Sequence, residues 1–327
     1  MTIIEWNEYS TLDHAPIPVI AWGDATFPGP PPGPVDSDEF IGAAGHAARM
    51  LPIEVHDALV DFADRANPVG AVAFSGLPIG DIPATPRRPT AQTAKSAHSE
   101  FLLLAAARRL GQPVGYLPEH GGSIVQNLVP TPGGAERQVS TSSRTTLMFH
   151  TEAAFHPHRP RYLLLLCLRG DAEGRAATTL ASIREVAPLL DATDRDTLFE
   201  ARFETQPDES YLGGARGGFG PAVPVLSGDR HDPTMVFDAD LMRGQDARAQ
   251  RALDALAEAV ASHHTGHVLS AGDLLVVDND RAVHGRSPFQ ARFDGTDRWL
   301  QRSMVVADLG PSAADRIGRV IATRFDN

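Results

Sequence analysis

From about residue 120 onward the sequence breaks into short β-like runs separated by loops, and this constrains the fold more than any other feature. The runs are SIVQNLVP, TTLMFHTEA, RYLLLLCLRG, AATTLAS, PTMVFDAD, HVLSAGDLLVVDND and RWLQRSMVVAD. Short apolar segments recurring between turn residues predict a β-sandwich or barrel. Two helices are expected as insertions among the strands. SIREVAPLL (182–190) opens with Ser182 and Glu185 at capping-box spacing, and DARAQRALDALAEAVASHH (246–264) is rich in helix formers.

The first third reads differently. GDATFPGPPPGPVDSDEF (23–40) is dense in proline and glycine and predicts an extended strap. LPIEVHDALVDFADRA (51–66) places Ile53, Leu59, Phe62 and Ala63 at helical spacing, AVAFSGLPI (71–79) reads as a buried strand, and TAKSAHSEFLLLAAARRLG (93–111) predicts the strongest helix of the chain. No internal repeat is found. The expectation is therefore mainly β with packed helices in a single domain over 1–327, with a strap and helix in 1–69 and a β core with helical insertions in 70–310.

Composition narrows the function. The 327 residues are 42% apolar and 21% charged, the balance of a globular protein, and the net charge of −12 disfavours nucleic acid or an anionic membrane as partner. The single Cys167 excludes an internal disulfide and suits a reducing cytoplasm as a buried core residue. No apolar run reaches the ~20 residues that span a bilayer, and the opening MTIIEWNEYS has no signal-peptide pattern, so a soluble cytoplasmic protein is expected. Two stretches of loop composition, 130–144 and 207–233, are long enough to act as lids over a site. Within the second, LGGARGGFG lacks the Lys-Ser/Thr ending of a phosphate-binding loop.

The chemistry-bearing residues lie in two segments. In LMFHTEA, a continuous strand would put His150 and Glu152 on one face. In AGDLLVVDNDRAVHGRSPF (271–289), an apolar strand and a polar turn lead to His284. Two histidines and one carboxylate with open positions beside them make the facial triad of non-heme Fe(II) oxygenases. His156 and His158, separated by a proline, are expected in a turn. His263, His264 and His267 in SHHTGH are expected to close a helix whose negative end favours imidazolium.

HTE, the distal histidine in VDNDRAVHGRSPF and DRWLQRS after it resemble the clavaminate synthase-like branch of the Fe(II)/2-oxoglutarate-dependent oxygenases, within the taurine dioxygenase-like group. That branch includes asparagine and arginine β-hydroxylases of peptide-antibiotic pathways. The resemblance covers roughly residues 70–310 and implies a distorted double-stranded β-helix (jelly roll). It implies Fe(II), 2-oxoglutarate as cosubstrate and O2, with His150, Glu152 and His284 as metal ligands. Retention of Glu152 counts against halogenation.

The resemblance also implies roles for further residues. Arg298, 14 residues after His284, holds the far carboxylate of 2-oxoglutarate with Thr178, 28 residues after His150, while Thr179 is the alternative one residue on. Arg302 falls on the same strand face as Arg298 and would hold the α-carboxylate of an amino-acid substrate. Two buried arginines on one face need anionic partners, which two small-molecule carboxylates would supply. Gln126, with or without Glu152, would take the α-ammonium, Ser140 would touch the carboxylate end, and Asp238 would read a side-chain nitrogen. The branch's arginine hydroxylases carry a second acid two residues before that aspartate, where this chain has Val236.

The expected activity is hydroxylation, at Cβ, of a free L-amino acid with a nitrogen-bearing side chain, in natural-product biosynthesis. Desaturation, oxidative cyclisation and a carrier-tethered substrate stay open, as does a catalytically silent metal- or amino-acid-binding jelly roll. The sequence leaves the oligomeric state open.

Overall fold

The computed structural model describes residues 15–90, 93–212 and 217–325. Met1–His14 of the expected strap, and residues 213–216 of the LGGARGGFG stretch, lie outside the described residues. In chain order the first strands are β1 (Val19–Ala21), β2 (Ala71–Ser75), β3 (Gln112–Tyr116), β4 (Val125–Leu128), β5 (Leu147–His150), β6 (Tyr162–Arg169) and β7 (Ala177–Ser182). Then come β8 (Phe203–Thr205), β9 (Leu226–Asp229), β10 (Asp232–Met235), β11 (Met242–Gly244) and β12 (Thr265–Val268). The last are β13 (Leu274–Asp278), β14 (Ala282–Arg286), β15 (Trp299–Val306), β16 (Arg316–Ile317) and β17 (Val320–Ile321). The helices are α1 (Asp38–Ala47), α2 (Ile53–Arg65), α3 (His98–Leu110), α4 (Ile183–Val186), α5 (Ala192–Leu198) and α6 (Ala247–Ser262).

Two sheets organise the molecule. The larger runs β1-β2-β13-β6-β15-β3-β17-β16, with β4 also pairing β15, and the smaller runs β12-β7-β14-β5. The continuous apolar run of β6 is explained by cover on both faces. Leu164, Leu166 and Leu168 pack with Leu102, Phe101 and Leu59 of α3 and α2, whereas Leu163, Leu165 and Cys167 pack with Leu180 and Ala282 of the smaller sheet. Strand period two thus sorts one segment into two cores. The outer face of the smaller sheet is covered in turn, where Phe149, Ala181 and Val283 meet Leu253 and Leu256 of α6. The result is mainly β with helices packed on both outer faces.

The same alternation decides where the arginines go. On β15, Trp299 and Val305 belong to the helix-facing core, and Leu300 and Met304 to the core between the sheets. Arg302 shares the parity of Leu300 and Met304, and so does Arg298 just before the strand. Both arginines are buried, at 5% and 8% exposure.

The structure adjusts several expectations. The strap gives way at Asp38 to α1, whose N-cap Ser37 accepts from the Phe40 N–H at 3.1 Å. On α2 the buried stripe is Val55, Leu59 and Phe62, while Ile53 at the first position is exposed. The helix expected over 93–111 begins at His98, and α5 occupies a stretch with no predicted element. Cys167 is buried as expected.

Candidate metal centre and substrate cavity

β5 ends at His150, so Glu152 does not continue the strand as the spacing predicted. It stands in the turn that follows, where Ala153 adopts a positive φ of 53°. The turn still brings it to the same place. His284 pairs directly with His150 across β14 and β5, and ligand atoms of His150, Glu152 and His284 all lie within 4.8 Å of one another. The register slips by one residue just beyond, between His284 and Arg286. Gly285 permits this, because a Cβ there would stand 2.6 Å from the Leu147 carbonyl oxygen.

The donor set suits a divalent first-row metal. His150 Nδ1 lies 2.9 Å from the Met148 carbonyl oxygen, a contact that makes Nδ1 the donor and leaves Nε2 with a lone pair for an ion. His284 Nε2 faces Glu152 Oε2 at 3.6 Å, and its buried Nδ1 has no hydrogen-bond partner. Burial, reinforced by His150 and Arg302, holds the His284 imidazole well below its usual range, in the neutral form a metal requires. The residues present therefore fit an iron ion.

These three residues line a cavity of about 500 Å³. Arg298, Thr178, Arg302, Ser140 and Asp238 also line it, and Thr179 does not. Arg298 Nη2 reaches the Thr178 hydroxyl at 3.5 Å, and no carboxylate among the described residues forms an ion pair with it. A second buried guanidinium, Arg286, lies on the same wall, lowered to about 9 by burial and by Arg298. It donates to Ser142 O (2.6 Å), Ser142 Oγ (3.0 Å) and Thr145 O (3.0 Å), pinning the first lid loop to β14.

Arg302 is held on three sides. Its Nη1 donates to Glu152 Oε1 at 3.0 Å, its Nη2 to Glu119 Oε2 at 2.9 Å, and its Nε to Gln126 Oε1 at 2.9 Å. Gln126 therefore sits behind the guanidinium, with its amide nitrogen 3.3 Å from the Ser123 carbonyl, and is not on the cavity wall. The wall position belongs to Glu119, a residue that sequence reasoning missed because LPEHGG carries no spacing signal. Burial, with Glu152 and Asp208 adding to it against the lowering effect of Arg302, pushes the Glu119 carboxyl up to about 7. Asp238 is bridged to His150 through the backbone, and its Oδ1 accepts from the N–H groups of Asp240 (2.9 Å) and Leu241 (2.8 Å). Burial raises its carboxyl despite the neighbouring His150.

The loops that carry Arg137 and Glu209 meet at the cavity wall through an ion pair between these two residues. Tyr211, beside Glu209, closes an aromatic cluster with Phe155 (4.7 Å between centroids) and Phe325 near the C-terminus (5.9 Å). His156 belongs to this cluster and to the core. Its ring stands 5.0 Å from Tyr116, and burial drives it down to about 3. His158 pairs with Asp315 at 2.7 Å, and His264 Nδ1 lies 3.0 Å from the Ala261 carbonyl at the end of α6, whereas His267 stands on β12 opposite Thr178 and does not close the helix.

Residues 54–304 match the family described as taurine catabolism dioxygenase TauD, TfdA family. The chain belongs to the TauD/TfdA dioxygenases. The dioxygenase is 40% identical over 299 residues to an L-asparagine oxygenase of Streptomyces coelicolor, covering 91% of this chain and 88% of the relative. It is 39% identical over 295 residues to an L-lysine 3-hydroxylase of Catenulispora acidiphila, covering 88% and 82%. Among solved structures it matches the non-heme iron oxygenase OrfP in complex with Fe and alpha-ketoglutaric acid, with a TM-score of 0.79, 35% identity and 90% and 93% coverage. The protein is thus an Fe(II)/2-oxoglutarate-dependent dioxygenase, and none of its described helices is long and apolar enough to cross a membrane.

Proposed function

We propose that this dioxygenase hydroxylates a free L-α-amino acid with a nitrogen-bearing side chain, at Cβ, as a step in natural-product biosynthesis. The observation that carries the reading is the pair of buried guanidiniums, Arg298 and Arg302, that flank the His150, Glu152 and His284 cluster in one cavity. Among the described residues Arg298 forms no ion pair with a carboxylate, and Arg302 sits between a cluster carboxylate and Glu119. A small-molecule carboxylate satisfies Arg298, and a second one takes the place of a protein carboxylate on Arg302. Relatives that act on asparagine and on lysine at C3 support the substrate class and the position.

In this reading His150, Glu152 and His284 hold iron, and Arg298 with Thr178 holds the far carboxylate of 2-oxoglutarate. Bound iron, with 2-oxoglutarate and O2, supplies the oxidant that converts a C–H bond to C–OH. The remaining work is positioning and exclusion of water. Arg302 takes the α-carboxylate through its planar fork, oriented from behind by Gln126. Glu119, when ionised, accepts the α-ammonium, with Glu152 nearby. Ser140 lines the carboxylate end on the first lid, and Asp238 faces the side-chain nitrogen. The fold is a distorted jelly roll in one domain, with β1, α1 and α2 packed on a core over 70–310, and the setting is cytoplasmic.

The test is turnover with Fe(II), 2-oxoglutarate, O2 and a panel of free L-amino acids including asparagine, lysine, ornithine, arginine, citrulline and cyclic-guanidine analogues. Mass spectrometry should show one amino acid gaining oxygen in step with succinate. Succinate without any modified amino acid across the panel would sink the free-substrate reading. Iron bound with no succinate would favour a silent binding protein.

A further inference from the structure

The two halves of the metal cluster are separated by 132 residues from Glu152 to His284, and Glu152 lies beyond the end of its strand. Its peptide therefore lacks the strand ladder that fixes His150. A single side chain takes the place of that ladder. Asn279, 1% exposed in the turn between β13 and β14, accepts from the Glu152 N–H through Oδ1 at 2.8 Å. Its Nδ2 donates to the Glu152 carbonyl at 3.2 Å and to the Pro160 carbonyl at 2.9 Å. The amide thus binds both polar groups of one residue, as a neighbouring strand would.

The turn that carries Asn279 is itself fixed. Asn279 N–H donates to Arg161 O at 2.9 Å, Asp278 N–H to Gly70 O at 2.9 Å, and Arg281 N–H to Asp278 O at 2.9 Å. Five residues after Asn279 the chain delivers His284 into β14. One rigid turn therefore sets the position of His284 through the backbone and that of Glu152 through a side chain. We propose that Asn279 is the positioning residue that registers the Glu152 carboxylate against His284, so that the metal site is preformed before an ion arrives. The inference rests on the reading of these residues as metal ligands.

Substituting Asn279→Ala leaves the Glu152 N–H and both carbonyls without this partner and frees the turn after β5. Loss of an outer partner of a ligand weakens metal affinity by roughly 10–100-fold. The probe is Mn(II) alone, a redox-silent divalent ion, titrated into metal-free wild type and N279A, with circular dichroism and thermal unfolding as folding controls. Weaker Mn(II) binding by a folded N279A supports the assignment, and equal affinity overturns it. Wild type that binds no Mn(II) removes the metal-site reading and this inference together, whereas tight binding by both proteins removes this inference alone. If N279A does not fold, hydrogen exchange of wild type decides. The Glu152 amide should be protected in the metal-free protein, and free exchange there overturns the preformed clamp.

Discussion

His284 stands directly opposite His150 across an antiparallel strand pair, their ring centroids 4.3 Å apart and their planes tilted by 46°. Both rings offer a nitrogen to the same point, and burial holds His284 in the neutral form that an ion needs. His284→Ala should abolish retention of iron and lower succinate formation by at least about 10³-fold, since a catalytic metal supplies several kcal/mol of barrier lowering. Metal content after anaerobic reconstitution and single-turnover succinate yield check this. A variant with wild-type turnover would refute the ligand assignment.

Arg298 and Arg302 should separate in kinetics although they lie only four residues apart with the same parity. Removing one partner of a buried, hydrogen-bonded charge pair costs about 2–5 kcal/mol, or roughly thirty-fold and upward in affinity. Arg298→Ala should raise KM for 2-oxoglutarate by that factor and leave KM for the amino acid nearly unchanged. Arg302→Ala should do the reverse and lose discrimination between the free acid and its amide. Initial rates with each substrate varied in turn decide the matter.

Glu119 sets a pH limb. Its carboxyl is pushed up to about 7 by burial, with help from Glu152 and Asp208. The ionised form is the one that accepts an ammonium, so the competent fraction falls as pH drops through this value. The expected result is a fall in kcat/KM of about tenfold per pH unit below about 7, carried by KM. Glu119→Gln should raise KM and flatten that limb.

The lid should leak when its aromatic seat is removed. Phe325 stacks edge-on against Phe155 (5.0 Å), His156 (5.3 Å) and Tyr211 (5.9 Å), and such pairs contribute about 0.5–1.5 kcal/mol each. Phe325→Ala should lower the ratio of hydroxylated product to succinate several-fold while iron binding stays at the wild-type level. An unchanged ratio would mean that the C-terminal segment does not hold the lid.

Much of the site was legible because the relevant chemistry is periodic. The parity that separates Leu164 from Leu165 also separates Trp299 from Arg302, whereas His150, Glu152 and His284 were read from residue type in two distant segments together with the family resemblance. Glu119, Arg286 and Asn279 were not legible, since each acts on backbone or on a partner more than a hundred residues away. Helix α1 was hidden for a local reason. Its Ser37 cap and the stripe of Phe40, Ile41, Ala44 and Ala47 follow directly on a proline-rich strap, and the composition of the strap dominated the reading. Glu152 shows the opposite error, because an i, i+2 spacing was taken for a strand where a left-handed residue makes a turn.

The pairing of β5 with β14 has a consequence for the newborn chain. Loop closure over such a distance waits until the later strand exists, and N-terminal segments emerge from the ribosome first. HTE is therefore exposed for much of synthesis with only two of the three ligands, and neither Arg298 nor Arg302 has yet been made. The oxidising centre forms only as the last strands dock, when the wall that confines it is already being built.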